Sequence, residues 1–127
     1  MHIGAVTLLV RDYDEAIAFY VGVLGFALLE DTPLSADKRW VRVAPKGAET
    51  CLLLAKASGE AQEARIGDQA GGRVGFFLHT YDFARDHAAM SSRGVRFLEA
   101  PRHETYGSVA VFVDPSGNKW DLIEHKT

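Results

Sequence analysis

Few side chains in this sequence can do chemistry, and strand periodicity decides which of them converge. Asp121 lies between Trp120 and Leu122. Side chains alternate along a strand, so with those two in the core the carboxylate faces the other way. A carboxylate buried there needs a partner, and the candidates are Arg42, His79 or a ligand cation. Burial would also shift its pKa, the route by which it becomes a general base. His79 shares a face with Gly75 and Phe77, opposite Phe76 and Leu78, and is the other candidate base. The stretch Pro101–Gly107 reads as a loop carrying His103, Glu104 and Tyr106. A His/Glu pair suits acid–base work, and His103 and Tyr106 are placed to reach over a pocket mouth, although such loop residues are more often solvated. Cys51, followed by three leucines, reads as an inert core thiol. The sequence contains no phosphate loop, nucleophile elbow or dinucleotide fingerprint.

The elements that must position these residues occur twice. Ala5–Val10 reads as a strand, Asp12 as a helix cap with Glu15 three residues on, and Ala16, Phe19, Tyr20 and Val23 as a helical stripe ended by Gly25. Strands follow over Phe26–Glu30, Trp40–Ala44 and Thr50–Ala55. In the second half Val74–Thr80 is a strand, Asp82 the cap, Phe83, His87 and Met90 the stripe, and Gly94 the stop. Val95–Glu99, Val109–Val113 and Lys119–Glu124 complete it. Leu24-Gly25-Phe26 aligns with Arg93-Gly94-Val95, and Pro45-Lys46-Gly47 with Pro115-Ser116-Gly117, displaced by about 70 residues. The expected fold class is therefore α+β, with two βαβββ modules in a single domain. The modules span about 1–57 and 73–127. The linker, about 58–72, has one helical turn near Glu60–Ile66. Asp31–Lys38 is expected to be a second long loop, able to close over a pocket.

At 127 residues, 47 % of them hydrophobic and 24 % charged, the chain suits one globule with its own core. A net charge of −3 without a basic run argues against nucleic acid or an anionic membrane as partner. No apolar stretch is long enough to span a bilayer, and the N-terminus lacks a signal-peptide pattern. With Cys51 the only cysteine, the expected setting is cytoplasmic.

Val10-Arg11-Asp12-Tyr13-Asp14-Glu15-Ala16, running into Phe19-Tyr20 and Leu24-Gly25-Phe26, resembles the opening of the vicinal oxygen chelate superfamily. The closing stretch from Phe112 to Glu124, with Asp114-Pro115-Ser116-Gly117-Asn118 at its centre, resembles that family's final hairpin and strand. The group includes glyoxalase I, bleomycin-resistance proteins, fosfomycin-resistance proteins and extradiol dioxygenases. The resemblance implies curved sheets forming a cleft, and a homodimer. It also implies a divalent metal held by side chains on the first and last strand of each module. Here those positions hold Ala5, either Cys51 or Leu53 (the register is open), Gly75 and Asp121. Ala5, Leu53 and Gly75 carry no donor and one carboxylate does not hold a cation, so no cofactor is expected. A displaced divalent metal site is the weaker alternative. Parallel pairing of first and last strands, as the resemblance implies, would bring His79 beside His125, with His103 or Glu104 as a third donor.

The expected pocket lining is then Thr7, Trp40, Arg42, Leu53, Phe77, His79, Tyr106 and Asp121, with space left at Ala5 and Gly75. An apolar cavity with a few polar anchors is the general form of a small-molecule site. The expected function is binding of a small, partly apolar molecule without the usual metal. The alternatives are a metal-dependent lyase or isomerase similar to glyoxalase I with a displaced ligand set, and a metal-free enzyme using Asp121 or His79 as general base.

Overall fold

The computed structural model describes residues Met1–Lys126; Thr127, where the expected second module ends, lies outside the described residues. The chain divides into two compact units, Met1–Ile66 and Gly67–Thr127. Among the described residues no helix is long and apolar enough to cross a membrane.

In the first unit, strand β1 (Ala5–Val10) leads to helix α1 (Tyr13–Ile17), then strands β2 (Ala27–Pro33), β3 (Arg39–Ala44) and β4 (Cys51–Lys56), with the short α2 (Glu60–Glu63) after them. The sheet order is β1-β4-β3-β2, with β1 and β4 parallel. Asp12 caps α1, its carboxylate accepting the Glu15 N–H at 2.8 Å. Glu15 turns its own carboxylate to Arg11 at 3.1 Å instead of closing a capping box. The helix then widens into a π-helix over Ala18–Val23, where Leu24 N–H donates to Phe19 O five residues back. The wider turn keeps Ala16, Phe19 and Tyr20 buried and leaves Val23 half-buried, off the expected stripe. Phe26 N–H bonds Tyr20 O, and Gly25 at φ +79° makes the reversal. Leu8, Val41, Val43 and Leu54 form the fully buried sheet face.

The second unit repeats the plan with β5 (Val74–His79), α3 (Phe83–Ser92), β6 (Arg96–Phe97), β7 (Arg102–Glu104), β8 (Gly107–Val113) and β9 (Lys119–His125). The order is β5-β9-β8-β6, with β7 on β8 and the β5–β9 pair parallel. Its core is an aromatic run: Phe76 stacks on Trp120 (centroids 4.6 Å), Trp120 on Phe112 (5.8 Å), and Phe112 meets Phe97 edge-on at 5.7 Å. His87 continues it from α3, 4.2 Å from Phe97. The closing motif is a turn built on the buried Asp114, whose carboxylate accepts the N–H groups of Ser116 (3.0 Å) and Asn118 (2.9 Å) and the Asn118 side-chain amide (2.8 Å).

Three expectations need correction. Asp31–Lys38 is not one long loop: β2 runs to Pro33, because Arg39 clamps Asp31 at 2.7 Å and Asp14 at 2.9 Å beneath the Tyr13 ring. Pro101–Gly107 is not a loop either, since Arg102–Glu104 pairs antiparallel with β8. Gly107, which opens β8, lets that strand lie close on β9: a Cβ there would stand 2.0 Å from Glu124 O. Finally, the strand expected over Val95–Glu99 shortens to Arg96–Phe97, as Glu99 leaves the ladder to bind Arg102 and accept the Val111 N–H.

Candidate functional site

Register decides which side chains meet. Thr7 lies opposite Leu53 in the β1–β4 pair, Leu53 opposite Arg42 across β4–β3, and Arg42 opposite Glu30 across β3–β2. Cross-strand partners share a face, so these residues and Trp40, two along from Arg42, look the same way. Thr7, Leu9, Trp40 and Leu53 line a hollow of about 520 Å³ in this unit, with Lys56 and Gln62 at its rim. Pockets for small molecules run to roughly 300–1,000 Å³. The Gln62 side-chain oxygen accepts the Ser58 N–H at 2.9 Å, fixing the segment after β4 as a wall. Sequence reasoning missed Lys56 and Gln62, since strand alternation says nothing about residues at and beyond a strand end.

Arg42 stands on this face but outside the lining. Its guanidinium is 3.1 Å from Glu30 and 3.9 Å from the Cys51 sulfur, and both neighbours hold it protonated. The register sets Cys51 opposite Ala5 and Leu53 opposite Thr7, so both fourth-strand candidates lie on the same face.

In the second unit Phe77, 59 % exposed, is the cross-strand partner of Asp121. The Asp121 Oδ1 atom is buried and has no hydrogen-bond partner among the described residues. Burial pushes its carboxyl up from the ordinary 3.8; Arg102 pulls the other way and Glu99 adds to the rise. Tyr106 is half-exposed at the β7–β8 turn. His79 and His125 lie together, ring centroids 4.8 Å apart, in an open hollow with Tyr81 and Lys126. His103 does not join them; its Nδ1 lies 2.8 Å from Ser108 Oγ. Among the described residues no three His, Cys, Asp or Glu side chains gather in a metal-binding group. Ala5 and Gly75 have no donor atom, so the residues at the resemblance's metal positions do not fit a divalent cation.

The model of the glyoxalase/bleomycin resistance protein/dioxygenase superfamily matches residues 2–122. The chain belongs to this superfamily. A relative in Shewanella frigidimarina, an uncharacterised protein, is 52 % identical over 94 % of this chain and 90 % of its own length. Within the superfamily fold, the crystal structure of TnmS3, an antibiotic-binding protein from Streptomyces sp. CB03234, is 34 % identical. It matches with a TM-score of 0.80 over 99 % of this chain and 97 % of that one. A superfamily member from Sphaerobacter thermophilus is 30 % identical with a TM-score of 0.79 over 98 % of each chain. These matches agree with the two mixed sheets and few helices found here. The superfamily embraces several chemistries, so membership alone does not choose among them.

Proposed function

We propose that this chain binds a small, partly apolar molecule in the hollow of its first unit, without a metal at the superfamily's usual positions. The observation that carries the reading is the convergence of Thr7, Leu9, Trp40 and Leu53 on one hollow of about 520 Å³. Trp40, Leu9 and Leu53 supply an apolar wall, and each Å² of ligand apolar surface taken from water is worth about 25 cal/mol. Thr7, Gln62 and the Lys56 ammonium orient the polar end. Sequestration needs affinity only, so Ala5 and Gly75 do no harm to it. The similarity to TnmS3, described as antibiotic-binding, supports a drug-like ligand class. We further propose a cytoplasmic homodimer, which light scattering reports as twice the 13.9 kDa chain mass.

The test is a thermal-shift screen of antibiotics and aromatic metabolites, followed by product analysis of every hit. Saturable binding with the ligand recovered unchanged is the expected result; turnover of the hits would overturn it.

One observation favours a second reading, a metal-free enzyme with Asp121 as general base. Its unpartnered Oδ1, and a carboxyl that burial raises above the ordinary range, make it a stronger base than an exposed aspartate. Under this reading Asp121→Asn abolishes turnover of a hit and leaves its binding intact; unchanged turnover excludes it.

A further inference from the structure

We propose that His79 and His125 form a two-imidazole chelating site for a late first-row divalent cation, separate from the positions the superfamily uses for its metal. His79 closes β5 and His125 closes β9, and His79 pairs with Ile123, two residues before His125. Both side chains therefore leave the same face at the same end of a parallel strand pair. Their ring centroids are 4.8 Å apart with planes inclined by 56°. Zinc–imidazole bonds of about 2.0–2.1 Å require two ring nitrogens little more than ~3 Å apart, a spacing these rings reach by rotation about their own side-chain bonds. Each histidine lies four residues beyond the superfamily's metal position on its strand, Gly75 or Asp121, which is ~13 Å at about 3.3 Å per residue.

The surroundings define the kind of site. Thr80 donates its hydroxyl to Asp86 (2.5 Å), and Glu124 accepts the Phe83 N–H with Oε1 (2.6 Å), so both side chains are already engaged on α3. Lys126 and Tyr81 line the same hollow. Two neutral imidazoles suit zinc, nickel or copper over magnesium or calcium. The remaining coordination positions fall to water or to the oxygen donors of a small chelating molecule, making the cation exchangeable.

Zinc alone, titrated into the untagged full chain by calorimetry and followed by imidazole NMR, tests this. The expected result is one equivalent bound, with the His79 and His125 ring signals shifting together. Because two tethered donors bind far more tightly than one, His79→Ala and His125→Ala should each lower affinity on the order of 100-fold. His2→Ala and His103→Ala should leave it unchanged. The proposal is overturned if either single variant of the pair binds zinc as the parent does, or if the shifting signals belong to His2 or His103. Both histidines are exposed, and circular dichroism of each variant checks that the fold persists. Were a variant to unfold, the NMR assignment in the parent protein would still decide the matter.

Discussion

Phe77 faces Asp121 across the parallel β5–β9 pair, in the place that Thr7 and Leu53 hold in β1–β4. The sequence repeat of about 70 residues would match Asp121 with Cys51. The irregularity between Val74 and Phe76 belongs to a β5–β9 register offset from that of β1–β4, so the counterpart of Asp121 is Leu53. Where one unit carries a carboxylate, the other carries an isobutyl group. That asymmetry sets a hollow walled by Leu53 in the first unit against a carboxylate with an unpartnered buried oxygen among the described residues of the second.

Trp40 contributes to the hollow while remaining 39 % exposed. Trp40→Ala should therefore weaken ligand binding by about 1–2 kcal/mol, roughly 5- to 30-fold in Kd. Stability should change little. Titration calorimetry with a ligand found by the screen, alongside a denaturant melt, separates the two effects.

Asp121 makes a pH prediction with a definite sign. Its folded pKa lies above the ordinary 3.8, chiefly through burial. The folded state therefore holds this proton more tightly than the unfolded chain does, and stability declines as pH rises from the unfolded value through the raised folded one. Asp121→Asn cannot ionise. Its stability relative to the parent should improve across that window and level off above it, as urea melts between pH 3 and 8 would record.

Asp114 anchors the final hairpin by accepting three hydrogen bonds while only 5 % exposed. Asp114→Ala should destabilise by about 3 kcal/mol, since buried N–H groups lose their acceptor at roughly 1–3 kcal/mol each. Asp114→Asn keeps an acceptor oxygen and should lose less. Chemical denaturation of the two variants gives the comparison.

Burial on the first sheet ranks its leucines. Leu8→Ala, at a fully buried position, should lower stability by about 2–5 kcal/mol. Leu29→Ala, at one 45 % exposed, should fall within about 0.5 kcal/mol of the parent. A thermal melt distinguishes them readily.

Much of this was legible beforehand, for reasons that differ from element to element. Asp12 and Asp82 announced their helices because a cap is a local device, fixed by an oxygen three residues before the N–H it receives. The shared face of Thr7, Trp40 and Leu53 is legible because a period of two assigns faces without tertiary knowledge, and the nearness of His79 and His125 because the family resemblance implies parallel pairing. Arg102–Glu104 escaped notice: a three-residue strand made of Arg, His and Glu has neither the β-branching nor the alternation that marks one, and only its pairing with β8 creates it. The Glu30–Arg42 contact was hidden because it depends on the register of β2, which has a shift between Leu28 and Glu30. The π-helical widening after Ile17 likewise leaves no periodic trace in six residues.

The most direct measurement uses 8-anilinonaphthalene-1-sulfonate, an aromatic anion that fluoresces in apolar surroundings, with protein purified without chelator. The account predicts saturable one-site binding, unchanged by excess EDTA and lost in Leu53→Asp, whose new carboxylate faces the dye in the first unit's hollow. Dye binding that vanishes with the chelator, or that persists undiminished in Leu53→Asp, would contradict it.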